Sequence, residues 1–197
     1  MAAILVIFSA FCIGWADTWE ELQASGDAIV SVQTTFIQTK HLPILTRPLV
    51  SEGTLAFRTP GSLRWEYTSP IHSILVMHSG KVRRFTQDTR THEFREESGA
   101  GLDAMQVVVE EISQWMSGRF EDNPMFSVEL APSRKIILIP KGGIADILQR
   151  VELWLGDQPG EIQRVLIVEG EAAFTDLSFS HTEINSEIPD DVFVKVP

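Results

Sequence analysis

Cysteine is almost absent from this 197-residue chain, since Cys12 is the only one. Cys12 lies in an apolar N-terminal stretch that we expect to be removed, so the mature chain would contain no cysteine. A disulfide, a thiolate zinc site and a cysteine nucleophile are then excluded. Phe11 precedes Cys12, whereas lipid attachment to a bacterial lipoprotein cysteine requires a small residue there, so a lipoprotein is disfavoured.

The chain also lacks an apolar run long enough to span a bilayer, which needs about 20 residues. Residues 2–15 are apolar and uncharged, and Gly14 and Ala16 are small residues suitably placed for cleavage after Ala16. No Lys or Arg precedes this run, so the signal is weak or the true start codon lies elsewhere. We predict a signal peptide at 1–16 and one mature domain at 17–197, with a buried N-terminal strand as the alternative.

Positive charge is scarce, because 16 Lys and Arg oppose 27 Asp and Glu for a net charge of −11. That sign opposes nucleic-acid binding, and it repels an anionic membrane unless positive charge is locally clustered. The one such cluster, Lys81 with Arg83, Arg84, Arg90 and Arg95, is interpreted as a solvated hairpin face or as a docking patch for an acidic partner or lipid head group.

Catalytic motifs are missing as well. The sequence has no Gly-x-Ser-x-Gly elbow, no phosphate-binding Gly-rich loop and no His-Glu-x-x-His. The histidines lack metal-ligand spacing, and adjacent acids such as Glu110 and Glu111 point to different sides of a helix. We therefore predict a protein that is not an enzyme and has no metal or cofactor; a hydrolase acting on envelope lipid is the catalytic alternative.

What is present is a series of short strands with few helices. A helix is expected after Thr18, which with Glu21 forms a capping box, and a second at residues 102–116, where apolar residues recur at three- and four-residue intervals. Strands are expected at residues 31–40, 53–58, 63–67, 73–77, 81–85, 126–130, 134–140, 147–155, 162–169 and 173–182.

This order predicts a mainly β (α+β) domain built on one strongly curved antiparallel sheet. The apolar stripes of the helices must be buried against a sheet face. Helices inside the curve of the sheet would make a lidded cavity, although periodicity alone favours a solid core.

An ordered series of segments resembles the LolA family of periplasmic lipoprotein carriers. The series comprises Phe36-Ile37-Gln38-Thr39-Lys40, Gly53 to Pro60, Leu63-Arg64-Trp65-Glu66-Tyr67, Ser73-Ile74-Leu75-Val76 with Gly80-Lys81, Leu138-x-Pro140, Phe179 to Asn185, and Ile188-Pro189-Asp190-Asp191-x-Phe193. The resemblance implies an incomplete β-barrel with helices lidding its apolar concave face. It also implies a monomeric carrier in the periplasm that takes lipoprotein acyl chains from an inner-membrane transporter to an outer-membrane acceptor.

The candidate lipid-binding residues are apolar side chains of the strands and of the long helix. They are Leu55, Phe57, Leu63, Trp65, Tyr67, Ile74, Val76, Met105, Val109, Met116, Leu138 and Phe179. The family has a functionally important arginine, proposed to hold the lid, just before the Pro of its Gly-x-Leu strand, where this chain has Thr59. The nearest arginine is Arg58, which can control the lid only if a bulge or register shift turns it inward.

Two alternatives to a lipoprotein carrier remain outside catalysis. The cargo could be another exported lipid, such as a glycolipid or a polyene lipid. The chain could instead be an RseB-like envelope sensor or regulatory module, which should bind a protein partner stably and usually carries a second domain. We expect no room for a second domain in a chain that ends at Pro197.

Overall fold

The computed structural model describes residues 19–97, 111–115, 120 and 123–197. The expected signal peptide therefore lies outside the described residues, as does most of the expected helix at 102–116. The elements are α1 (Trp19–Asp27), β1 (Ser31–His41), β2 (Leu49–Arg58), β3 (Ser62–Ser69), β4 (Ser73–His78), β5 (Lys81–Gln87), β6 (Phe94–Glu97), α2 (residues 111–115), β7 (Phe126–Ala131), β8 (Lys135–Pro140), a 3-10 helix (Gly142–Asp146), β9 (Arg150–Leu155), β10 (Ile162–Val168), β11 (Phe174–Ile184) and α3 (Asp191–Val194).

The eleven strands of the described residues form one antiparallel sheet in the order β6-β5-β4-β3-β2-β1-β11-β10-β9-β8-β7. Sequence neighbours pair as hairpins, and the two halves of the sheet join where β1 pairs with β11. Among the described residues, no strand pairs with the outer edge of β6 or β7, so the sheet is not closed. The expected mainly β class and the incomplete barrel are confirmed.

The core lies on one face of the sheet and is centred on Phe36, which is 2% exposed. Its ring centroid lies 4.8 Å from that of Trp65, 5.3 Å from Tyr67 and 6.3 Å from Phe179. The same apolar cluster includes Leu138 on β8, far across the sheet from β3. Side chains so distant along the strand order meet only because the sheet bends around them, and we call this side the concave face.

Strand β3 shows why the sequence folds this way locally. Leu63, Trp65 and Tyr67 alternate along the strand and all join the concave cluster, as the period of two predicts. Arg64 and Glu66 point outward, where their side chains form an ion pair of 2.7 Å. One apolar face and one charged face define the register of this strand.

The C-terminal segment, residues 186–197, packs on the outer face of the sheet. Phe193 is 2% exposed and clusters with Ile188 and Ala56. Arg64 donates through Nη1 to the carbonyl oxygens of Val192 and Lys195, each at 3.1 Å. The short helix α3 is therefore fixed to the outer surface, and it had no counterpart in the sequence-based prediction.

Four further differences from the predicted elements concern short or terminal segments. Strand β6 and the 3-10 helix were not predicted, because a four-residue strand and a single turn carry little periodicity. Strand β2 begins at Leu49 rather than residue 53, and β9 begins at Arg150 rather than residue 147. Both of these predicted strand starts are boundary errors next to a loop. No described helix has the length and apolarity needed to cross a membrane.

Candidate functional site

An apolar cavity of about 290 Å³ lies between the concave face and helix α2. Ile112 and Trp115 form its helix side. The sheet supplies the remaining described wall: Gln38, Leu55, Trp65, Tyr67, Ser73, Leu75, Arg84, Ile162, Val165, Ile167, Leu177 and Phe179. Strands β4 and β10 lie five places apart in the sheet, yet both line this one cavity. The curve thus leaves a hollow as well as a packed core.

Four of the candidate lipid-binding residues line the cavity: Leu55, Trp65, Tyr67 and Phe179. Three others, Phe57, Leu63 and Leu138, face the same side but are at most 2% exposed in the packed cluster beside the cavity. The structure thus brings these seven to one face. Only the first four are positioned to touch an occupant directly.

Ile74 and Val76 lie on the opposite face, which corrects their placement from sequence. Strand β4 pairs with β3 so that Trp65 is opposite Leu75 and Tyr67 is opposite Ser73. Leu75 and Ser73 therefore face inward, and Ile74 and Val76 face outward. There they pack with Phe85, Phe94 and Val196 in a separate small core. They are packing residues of the outer surface.

The helical candidates Met105, Val109 and Met116 lie outside the described residues. The described turn 111–115 nevertheless contributes Ile112, which belongs to the same predicted apolar stripe, and Trp115, which does not. The ring centroids of Trp115 and Phe126 lie 6.4 Å apart, and the two rings pack edge to face. A helix thus covers the concave face here, as its apolar stripe indicated.

The cavity wall also contains residues that sequence reasoning missed. Leu177 lies two positions before Phe179 on β11, so the strand period could have identified it. Val165 and Ile167 alternate in the same way on β10. Gln38, Ser73 and Arg84 carried no such signal, because a polar side chain that borders a hollow looks like any solvated residue in the sequence.

The described wall of the cavity has few polar atoms, and only some of them form hydrogen bonds. The Tyr67 hydroxyl donates to Gln38 Oε1 at 2.8 Å. Burial raises the pKa of the Tyr67 phenol above its ordinary value of 10.0, and the nearby Trp65 N–H and Arg84 charge oppose that rise only in part. The indole nitrogens of Trp65 and Trp115 are buried without a hydrogen-bond partner of normal geometry among the described residues. Each such group costs about 1–3 kcal/mol, which a solid core normally avoids.

Arg58 lies away from the cavity, on the outer face. Its Nη1 donates to the carbonyl oxygen of Ile188 at 2.7 Å, its Nη2 pairs with Asp190, and its guanidinium lies 5.0 Å from the centroid of Phe193. The β1–β2 ladder continues to Arg58 without a bulge. The condition under which Arg58 could hold a lid is therefore not met, and the residue fastens the C-terminal segment instead.

This placement changes what Arg58→Leu should do. The sequence-based hypothesis was that the variant retains cargo and fails to release it. From the structure we expect normal release and a loss of about 1–2 kcal/mol in the free energy of unfolding, because the hydrogen bond to Ile188, the exposed ion pair with Asp190 and one cation–π contact disappear. Urea denaturation and a cargo-release assay distinguish the two. Unchanged stability together with blocked release would restore the lid hypothesis.

Among the described residues, many of the remaining charged groups form ion pairs. In the part of the chain that the structure describes, no group of three potential metal ligands is present. The predicted basic cluster is largely paired: Arg83 contacts Glu96 at 2.7 Å, Arg84 contacts Glu97 at 3.5 Å and Arg95 contacts Asp88 at 3.6 Å. These ion pairs tie β5 to β6, which favours the solvated-hairpin interpretation.

Several solved structures are similar to this chain at low sequence identity. MucB matches with a TM-score of 0.51 and 13% identity over 89% of this chain and 60% of that chain. The MucA/MucB complex of Pseudomonas aeruginosa matches with 0.49 and 15% over 88% and 58%. The LolA superfamily protein NE2245 of Nitrosomonas europaea matches with 0.47 and 12% over 91% and 99%. This chain thus spans about three fifths of MucB.

The sequence itself gives the family. No curated protein is similar enough to add a relative. The family model described as outer membrane lipoprotein carrier protein LolA matches residues 27–195, which run from the end of α1 to just beyond α3 and include every strand of the sheet. With most of its length matched and with the open, curved sheet described above, the chain belongs to the LolA family.

Proposed function

We propose that this protein is a periplasmic carrier that shields lipoprotein acyl chains in its cavity and moves them from the inner to the outer membrane. The observation that carries the proposal is the apolar hollow between the concave face and α2. Its described wall is mostly aliphatic and aromatic, and it includes Trp65, Tyr67 and Phe179. Such a surface excludes water and offers an acyl chain dispersion contacts along its length.

The energetics suit a reversible carrier. Burying an acyl chain is favourable by about 0.8 kcal/mol for each methylene, so about ten methylenes contribute about 8 kcal/mol. This free energy is enough to hold the chain in the protein while the protein crosses an aqueous space. It still allows the chain to exchange with a bilayer. No bond is made or broken, and we propose that the protein is not an enzyme and needs no cofactor.

The volume of the cavity limits how much of a lipid it can hold. A volume of about 290 Å³ is at the low end of small-molecule pockets, which are about 300–1,000 Å³. It suits part of one acyl chain, so a cargo with several chains requires α2 to move away from the sheet. A glycolipid or a polyene lipid is the alternative cargo within the same mechanism.

The proposed partners follow from the same task. A carrier between two membranes needs a transporter that loads it at the inner membrane and an acceptor that unloads it at the outer membrane. We propose that it works as a monomer, since a second copy on the concave side would obstruct the cargo. Membership of the LolA family supports this set of partners and the periplasmic location.

The experiment that tests this proposal is mass spectrometry of lipids that co-purify with the protein from the periplasm. We expect acylated lipoprotein or a defined lipid at near-equimolar amount, and its loss from a variant with a charged cavity. Protein recovered without any lipid, and unable to take up a fluorescent fatty acid, would contradict the proposal.

A regulatory module is the second candidate, favoured by the likeness to MucB, a protein whose structure in complex with MucA has been solved. In that case the main ligand would be a protein segment. Purification under native conditions should then yield a stable protein complex. The absence of lipid from the cavity should not weaken that complex. Lipid without a protein partner favours the carrier.

A further inference from the structure

Exposed aliphatic side chains are concentrated at one end of the sheet. Of the ten large hydrophobic residues exposed in the described part of the chain, seven lie in or next to loops at this end. They are Ile44, Leu45, Leu49, Val50, Ile71, Ile139 and Ile147. Ile44 is 88% exposed and Ile147 is 71% exposed, so their side chains contact little of the protein.

The strand pairing places these loops at the same end. Successive hairpin loops of an antiparallel sheet alternate between its two ends, and the β1–β2 loop lies at the same end as the β3–β4 loop because Glu52 pairs with Ser69. On the other half, His41 pairs with Phe174 and Val168 pairs with Arg150, which puts the β8–β9 loop there too. We call this end the apolar rim.

The most prominent part of the rim is the tip of the β1–β2 hairpin, residues 42–50. Its residues 43–50 are all exposed. The sequence has no acidic residue between Ala28 and Ser51, although the whole chain carries a net charge of −11. Arg47 lies within the tip, and Lys40 lies at its base, where its ammonium group pairs with Glu169 at 3.2 Å. The tip therefore differs from the rest of the surface in both apolarity and charge.

We propose that the apolar rim docks the protein on the surface of an anionic phospholipid bilayer, with the hairpin tip inserted among the head groups. Exposed branched aliphatics on a protruding loop gain free energy when they enter the interfacial region of a membrane, and a nearby arginine pairs with lipid phosphate. An acidic protein is otherwise repelled by such a surface, so attraction confined to one end also sets its orientation.

The docked orientation brings the cavity toward the membrane. Gln38 and Tyr67, which are joined by a hydrogen bond, and Ser73 line the cavity on strand segments near the apolar rim. The opposite end carries the β2–β3 and β4–β5 turns and the start of the C-terminal segment. A lipid leaving the bilayer would thus reach the hollow by a short path.

The test is co-sedimentation of the purified protein with vesicles of phosphatidylethanolamine and phosphatidylglycerol, and with vesicles of phosphatidylcholine alone. We expect binding to the anionic vesicles and weaker binding to the neutral ones. The double variant Ile44→Ser/Leu45→Ser should bind about tenfold or more weakly, because two apolar side chains no longer insert. Arg47→Gln should bind anionic vesicles about fivefold more weakly and neutral ones unchanged.

Val30→Ser is the matched control, since Val30 is an aliphatic residue that is 54% exposed at the opposite end. It should bind as the wild type does. All these side chains are exposed, so circular dichroism and thermal unfolding should be unchanged. The proposal would be overturned if the wild type did not bind vesicles, or if the tip variant bound them as tightly as the wild type. It would also be overturned if the control lost as much binding as the tip variant, or if the tip formed dimers and the protein bound no vesicles.

The outcome is separable from the proposed carrier function. A variant with a charged cavity, Trp65→Glu, should lose lipid uptake and still bind vesicles through the rim. The tip variant should take up a soluble fluorescent fatty acid normally. Vesicle binding that disappears in Trp65→Glu but persists in Ile44→Ser/Leu45→Ser would show that the cavity, and not the rim, contacts the membrane.

Discussion

Trp65→Glu should abolish uptake of a fluorescent fatty acid by the purified protein. The indole lines the cavity and packs on Phe36 with 4.8 Å between ring centroids. A carboxylate in its place lies against Leu55 and Leu75, where it would have to shed its hydration as an acyl chain entered. An unpaired buried charge costs several kcal/mol, which corresponds to a loss of at least about a thousandfold in affinity.

Three variants separate this effect from misfolding. Leu75→Glu, on the strand paired with Trp65, should have the same consequence because it charges the same wall. Trp65→Phe keeps an apolar ring and should retain most of the uptake. Trp154→Glu places a carboxylate on the outer face beside Lys135 and Arg164, whose cationic groups lie 5.1 Å and 4.7 Å from the Trp154 ring centroid, and should leave uptake intact. Folded Trp65→Glu protein with normal uptake would exclude this cavity as the binding site.

Gly53→Ala should be the most damaging single-methyl substitution in the sheet. Gly53 pairs with Phe36 on β1 and follows a register shift against β3. A Cβ at this position would collide with the backbone carbonyl oxygen of Glu66 and would lie 2.6 Å from Phe36 Cζ. Neither the ladder nor the central ring can move without disturbing the core, so we expect a loss of about 3 kcal/mol in the free energy of unfolding.

Gly143→Ala is the corresponding control. Gly143 lies in the 3-10 helix, and an added Cβ would meet no heavy atom within 4 Å. Its free energy of unfolding should change by less than about 0.5 kcal/mol, as is usual for exposed substitutions. Urea denaturation of both variants decides the matter. If Gly53→Ala were as stable as the wild type, the packing of Phe36 against β2 would have to be looser than described.

The alternation of side chains explains which parts of the site were predictable. Strand β3 alternates charged and apolar residues, so its pattern alone assigned Leu63, Trp65 and Tyr67 to one face. Strand β4 is apolar at every position from Ile74 to Met77, so its pattern cannot distinguish its two faces. The choice between Ile74 and Leu75 was decided by pairing with β3, which is not a local property of the sequence.

The outer face shows why the rest could not be predicted. Ile74 and Val76 are buried because Phe94 and Val196 cover them, and the latter belongs to the C-terminal segment more than a hundred residues away. Arg58 is likewise held by Ile188 and Asp190. Contacts between such distant positions leave no periodic trace. The family resemblance correctly implied the open curved sheet, and it did not indicate what Arg58 contacts.

Within the described ranges, the outer edges of β6 and β7 pair with no strand, and this has a mechanical consequence. A closed barrel has a girth fixed by its strand number and stagger. This sheet has a seam instead, so its circumference can widen by a small change of twist at each strand pair while every ladder hydrogen bond is kept. Charged residues along β6, including Arg95, Glu96 and Glu97, discourage another strand from adding there. We therefore expect the sheet to widen around a bulkier occupant while its strand ladders stay paired and without adding a strand from another molecule.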